Sequence, residues 1–456
     1  MRTSSVLLPG LILVAVAMGR ADAKSPNIPG LDSLYPELDA FYIDLHQNPE
    51  LSGHEEKTSA KLADRLKKLG YEVTTGVGGY GVVALMRNGD GPTLMLRADM
   101  DALPLQEKTG LPYASKATAP GQSGPVPVMH ACGHDVHMTS LVGAASVLSK
   151  MKDRWKGTLF LVGQPAEETV AGAEAMMKAG LWTKFPKPNF AVALHDASDL
   201  PAGKFGYTPG PAFANVDTVT LTIFGRGGHG AYPNKTVDPI VIASRTVLSL
   251  QTIVARENNP LDPAVITVGS MHGGSKANII PDEVALQITV RSYKDDVRKH
   301  LLSAIERIAK AEAAAAGAPK EPSIALSDSA FATVNDPALT KRVAGILSRE
   351  FGESNVIEVP PKMVAEDFSV YGRAGVPSVL FWLGAVEPKK YEKATASGAP
   401  LPGSAGKRGT RLVCRAVTRG LFSGYRAGST TRLAPALRIA ADRLLHRLAI
   451  RCRRGA

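Results

Sequence analysis

Cysteine is scarce in this chain: Cys132, Cys414 and Cys452 are the three present among 456 residues. So odd and sparse a set excludes a disulfide framework. The absence matters because the first residues read as an export signal, and exported proteins meet an oxidising environment. MRTSS carries one positive charge, Val6–Met18 is mostly apolar, and Ala21-Asp22-Ala23 has the small-x-small form of a cleavage site. Residues 1–23 are therefore expected to be removed, leaving an exported protein, periplasmic or extracellular. Long apolar runs are also lacking. The signal's own run is short, and no later stretch approaches the ~20 residues of a membrane-crossing helix. No membrane span is expected after cleavage.

Acidic residues are missing from one region. Residues 407–456 hold thirteen Lys or Arg and a single acid, Asp442, so the formal net charge of +11 belongs to this tail. The body, 1–406, is close to neutral, and nucleic acid is not expected as its partner. What remains is the composition of a globular protein, 44% hydrophobic and 21% charged, long enough for two or three domains.

Ser33–Leu45 and Glu55–Leu69 have helical spacing. Short strands are expected at Tyr71–Thr74, Gly81–Ala84 and Thr93–Arg97, then a helix over Met138–Met151 and a strand at Gly157–Val162. A helix through Met176 and a strand Phe190–Leu194 follow. Strands alternating with helices point to an α/β fold with a mostly parallel sheet. From VDTVTLTIFG onward the pattern alternates, and two strand–helix pairs indicate a small α+β insertion. The resulting division is 24–212 and 322–406 for the large unit, 213–321 for the inserted one, and 407–456 for an atypical basic tail.

The stretch MHACGHDVH, Met129–His137, places three histidines and one of the rare cysteines in nine residues. Imidazole, thiolate and carboxylate hold transition-type divalent metals. Cys132 and His134 flank a glycine, so both can face one ion. Glu167 and Glu168 follow one strand and His195 another, and open α/β sheets gather such residues at the C-terminal ends of their strands. The expected ligands are Cys132, His134, Glu168 and His195. Glu167 is left free to take a proton from water acidified by the metal; spacing alone also allows the two glutamates to exchange roles. Asp99 and Asp101, in RADMDALP, would orient a ligand histidine or touch the ion. His130 would fix the loop and His137 start the helix.

LHQNPELSGHEEKT, LRADMDALPLQE, MHACGHDVHMTSLVGAA, GQPAEE, ALH, GRGGHGAYP, ANIIPDE and AEDFSVYG occur in this order. Together they resemble the hippurate hydrolase, N-acyl-amino-acid amidohydrolase and indoleacetyl-amino-acid hydrolase branch of the aminoacylase/carboxypeptidase-G-like metallopeptidases, from about Leu34 to Pro402. The resemblance implies a two-metal catalytic domain with an inserted lid domain that often forms homodimers. It implies hydrolysis of N-acyl amino acids with manganese or zinc, or cobalt or nickel. Glu167 matches the catalytic carboxylate. His229 matches a lid histidine that polarises the scissile carbonyl, often from the neighbouring subunit. Asn278 and Arg291 match residues that hold the substrate carboxylate.

One feature departs from that branch. Relatives carry a further ligand histidine shortly after a segment like FWLGAVEPKKYEKATASGAPLPG, whereas here no histidine follows until His446. The Arg-rich composition begins at the same place, as a shift of reading frame near Gly403 would produce. Two rival functions stay open: a catalytically impaired protein that binds acyl amino acids, and a protein that acts on anionic surfaces through its basic tail.

Overall fold

The protein is described here from a computed structural model, which covers residues 31–121 and 123–398. The export segment and the basic tail, with Cys414, Cys452 and His446, lie outside the described residues. Among the described residues, no helix is long and apolar enough to cross a membrane.

The large unit is built on an eight-stranded mixed sheet. In spatial order its strands are Glu72–Val77, Gly81–Asn88, Gly157–Gln164, Thr93–Asp99, Phe190–Pro201, Ser378–Val386, Phe205–Tyr207 and Val356–Glu358. The middle four run parallel to one another. Their sequences show why. Thr93–Asp99 and Ser378–Val386 are buried along their whole length, the pattern of strands covered on both faces. Helices Leu31–Gln47, Glu56–Lys68 and His134–Lys150 cover one face, with Leu38, Leu45, Leu62, Leu66 and Leu148 in the shared core.

The inserted unit is an antiparallel sheet in the order Ala264–His272, Glu283–Ser292, Asn215–Phe224 and Ser323–Ala330. Asn215–Phe224 buries alternate residues, and helices Pro239–Thr252 and Asp295–Ala315 close the buried face. Ser323–Ala330 pairs with Asn215–Phe224, so the small unit extends past the division drawn at Glu321. That edge strand is almost wholly exposed, and so carries no apolar alternation to betray it.

One charged residue interrupts the buried centre. Arg97, on Thr93–Asp99, is 4% exposed. Its guanidinium lies 2.7 Å from Asp99, 2.8 Å from Glu366 and 3.0 Å from Asp367, and it also donates to Gln164. Glu366 and Asp367 belong to the AEDF loop, some 270 residues away in the chain, so this cation fastens that loop to the sheet. Removing one partner of such a group strands buried charges. Arg97→Leu is expected to lower stability by ~3–5 kcal/mol, read from urea unfolding. A loss below ~1 kcal/mol would show that the three carboxylates do not depend on it.

Candidate metal centre

Cys132 and His134 are set by a glycine. Gly133 has φ +82°, and a Cβ there would lie 2.3 Å from an Asp196 carboxylate oxygen. Only glycine combines that backbone conformation with that closeness. The turn leads directly into the helix, which begins at His134 and not at Met138 as its spacing suggested. His134 and His137 therefore share the first turn, one above the other.

His195 is not at a strand end. Its strand runs on to Pro201, but pairing with Thr93–Asp99 stops at Arg97–Ala193. Beyond that point one side of the strand is open, and His195 emerges there. Glu167 and Glu168 likewise lie in the loop after Gln164, where the Gly157–Gln164 strand stops.

These pieces meet. The Cys132 Sγ is 3.5 Å from His195 Nε2. His195 Nδ1 lies 2.7 Å from the Asp196 carbonyl oxygen, so its N–H donates there and the Nε2 lone pair faces the sulfur. His134 follows the same rule: Nδ1 donates to the Asp101 carbonyl at 2.8 Å. Its Nε2 then faces Glu167 and Glu168, each 3.8 Å away. Cys132, His134 and His195 form one candidate ligand group, and His134, Glu167 and Glu168 another.

Two buried atoms test whether a cation fits. Among the described residues, His134 Nε2 and Glu168 Oε1 have no hydrogen-bond partner. Buried polar atoms are almost always paired, and an imidazole lone pair facing a carboxylate oxygen has none to gain from it. A divalent cation satisfies both, with sulfur and a second imidazole alongside. Burial and the charge of Glu168 push the Cys132 thiol well up, and a cation reverses that by stabilising the thiolate. The residues present fit the metal.

A second layer orients these donors. Asp101 accepts the backbone N–H groups of Glu167 and Glu168 at 3.1 and 2.9 Å and the Ser52 hydroxyl at 2.6 Å. Asp99 and Asp196 grip His137 through Nδ1 at 2.6 Å and Nε2 at 3.1 Å. Both ring nitrogens of His137 are thus engaged, which gives it a bracing position and more than a helix start. Sequence reasoning missed Asp196, Glu366 and Asp367; the last two stood in view within AEDFSVYG.

Three expected residues lie apart from this cluster. His229 and Asn278 are exposed neighbours on the small unit, where His229 pairs with Ile279 and the Gly230 N–H donates to the Asn278 carbonyl. Arg291 is half-buried and donates to the Met363 carbonyl at 2.8 Å. None of the ion pairs or hydrogen bonds of the Cys132 cluster among the described residues involves them.

Known proteins are similar to this chain. The profile of the family described as Peptidase family M20/M25/M40 matches residues 95–415. Thermostable carboxypeptidase 2 of Saccharolobus solfataricus is 39% identical over 350 residues, 76% of this chain and 85% of that protein. Hippurate hydrolase of Campylobacter jejuni is 38% identical over 349 residues, 75% of this chain and 87% of that protein. Among solved structures, the YXEP protein of Bacillus subtilis, described as a dinuclear metal-binding peptidase of the M20 family, superposes with a TM-score of 0.67 at 28% identity. That match covers 85% of this chain and 96% of that one.

His130 behaves differently from its neighbours. It is 1% exposed, and neither ring nitrogen has a hydrogen-bond partner among the described residues. Burial holds its pKa down, to about 4 from the ordinary 6.5. Between those values the unfolded chain binds the proton and the folded one does not. Stability is therefore full above about pH 6.5 and falls as the pH drops towards 4, by at most ~3 kcal/mol. Urea unfolding across that range is expected to show a shallower pH slope for His130→Leu; an identical slope would remove His130 as the cause.

Proposed function

Because the chain belongs to Peptidase family M20/M25/M40, we propose that it hydrolyses the amide of N-acyl amino acids such as hippurate. The observation that carries this reading is the pair of atoms without partners among the described residues, His134 Nε2 and Glu168 Oε1, with Glu167 beside them. Cys132, His134, Glu168 and His195 would hold the metal. That donor set accepts manganese, zinc, cobalt or nickel. When bound, divalent cations supply Lewis acidity towards the amide carbonyl and make water acidic near neutral pH.

Glu167 is suited to carry the proton. Burial, with Glu366 and Asp367 nearby, holds its carboxyl well above the usual carboxylate range. Once ionised, such a carboxylate is a stronger base than usual and can take a proton from water. The departing amine nitrogen then receives it. Asp101 fixes the backbone on which both glutamates stand. Arg291 presents a planar fork that suits the substrate carboxylate, and Asn278 would be a second contact for it. His229, exposed on the small unit, would serve a neighbouring copy by donating to the oxygen on which charge develops. A homodimer through the small unit follows from that assignment.

The Met1–Ala23 segment supports action outside the cytoplasm. A second reading, a weakly active acyl-amino-acid binder, is favoured by one feature: no histidine lies between His300 and His446. A chain short of one ligand holds its second ion loosely.

Hippurate hydrolysis with added Mn2+ or Zn2+ tests the proposal. Glu167→Gln is expected to lower kcat by ~10²–10⁴ with bound metal unchanged. Equal turnover by the variant would dismiss Glu167 as the proton carrier. No turnover by the unaltered chain, with hippurate still bound, would favour the binder.

A further inference from the structure

The loop carrying Glu167 and Glu168 is held by a buried carboxylate for which the catalytic scheme has no use. Residues Pro165–Gly172 close on themselves. The N–H groups of Ala171 and Gly172 donate to the Ala166 carbonyl at 3.2 and 3.1 Å, and that of Val170 to the Glu167 carbonyl at 2.7 Å. A Cβ at Gly172 would lie 1.5 Å from the Pro165 carbonyl oxygen, so this closure needs glycine. It also forces Ala166 to φ 52° and Val170 to φ 49°. Residues with a Cβ avoid that region.

With its carbonyl engaged inside the loop, Ala166 turns its N–H outward. Glu55 Oε1 accepts it at 2.8 Å. The next two N–H groups go to Asp101. Three consecutive peptide donors thus face two carboxylates from distant parts of the chain, an anion nest filled from within. Glu55 is fully buried. It stands at the start of helix Glu56–Lys68 yet makes no side-chain cap bond to it. Its Oε1 also accepts from the Gly53 N–H at 2.9 Å, while Oε2 has no hydrogen-bond partner among the described residues. A short polar residue would start the helix better, without burying a half-satisfied carboxylate. The contact to Ala166 is what distinguishes glutamate here.

We propose that Glu55 is a positioning residue: by holding the Ala166 N–H it locks Ala166 in its left-handed conformation and so fixes where Glu167 and Glu168 project. The proposal rests on the reading of Glu168 as metal ligand and Glu167 as proton carrier. It assigns a task to the LSGHEE segment, whose Ser52 and Glu55 both serve the loop, one through Asp101 and the other directly.

The test is calorimetric titration of Zn2+ into the metal-stripped full chain, with hippurate kinetics alongside. Glu55→Ala is expected to weaken Zn2+ binding ~10–100-fold and to lower kcat with KM little changed. Glu55→Gln keeps an acceptor oxygen for Ala166 and is expected to restore affinity to within ~3-fold of the unaltered chain. Adding Ala166→Gly to Glu55→Ala is expected to recover part of the loss, because glycine holds a positive φ without strain. A purely structural Glu55 would not respond to a change at Ala166. If Glu55→Ala does not fold, Glu55→Met, of similar volume but without an acceptor, takes its place. Unchanged affinity in the Ala or Met variant, or no recovery with Ala166→Gly, overturns the role of Glu55 alone. If the unaltered chain binds no Zn2+, the metal reading falls and this proposal with it.

Discussion

Buried negative charge governs this structure. Asp99, Asp101, Glu167, Asp196, Glu366 and Asp367 are all buried at one end of the central sheet, with Glu168 half-buried beside them. Carboxylates in so small a volume repel one another and lose hydration. Arg97 balances part of the charge and backbone N–H groups balance more. A cation held by Cys132, His134, Glu168 and His195, as proposed, would balance more of it, where His134 Nε2 and Glu168 Oε1 lack partners among the described residues.

The sheet makes the gathering possible. Parallel strands end together, and each loop leaving them brings one type of donor: aspartates from Thr93–Asp99, glutamates from Gly157–Gln164, His195 from the long strand beside them. The turn at Gly133 and the helix beginning at His134 then bring a cysteine and two histidines onto the same edge. Several of these donors are oriented by a neighbouring residue. Asp101 steers His134, the Asp196 carbonyl steers His195, and Glu55 steers the glutamate loop. Orientation by such neighbours commonly decides metal affinity and activity.

How much of this was legible in the chain differs from element to element. The apolar run TLMLRAD announced a buried strand, and MHACGHDVH announced donors; the equally apolar strand Ser378–Val386 went unread. The start of the helix at His134 was hidden because its first turn is polar: those side chains are buried by bonding to Asp99, Asp101 and Asp196, and no pattern of apolar residues marks that. The strand Ser323–Ala330 was missed because it is a polar edge. Contacts between His137 and Asp196, or Arg97 and Glu366, join residues far apart in sequence, and spacing carries no trace of them. The exposed positions of His229 and Asn278 reflect an insertion whose placement depends on tertiary packing, again beyond local pattern.

Cobalt(II) titrated into the metal-free chain offers the most direct measurement, because a thiolate bonded to cobalt absorbs in the near ultraviolet and a distant thiol does not. A charge-transfer band that saturates with added cobalt and is lost in Cys132→Ser, but kept in Cys414→Ser and Cys452→Ser, is the predicted result. No band, or a band indifferent to Cys132, would contradict a cation shared by this sulfur and the two imidazoles.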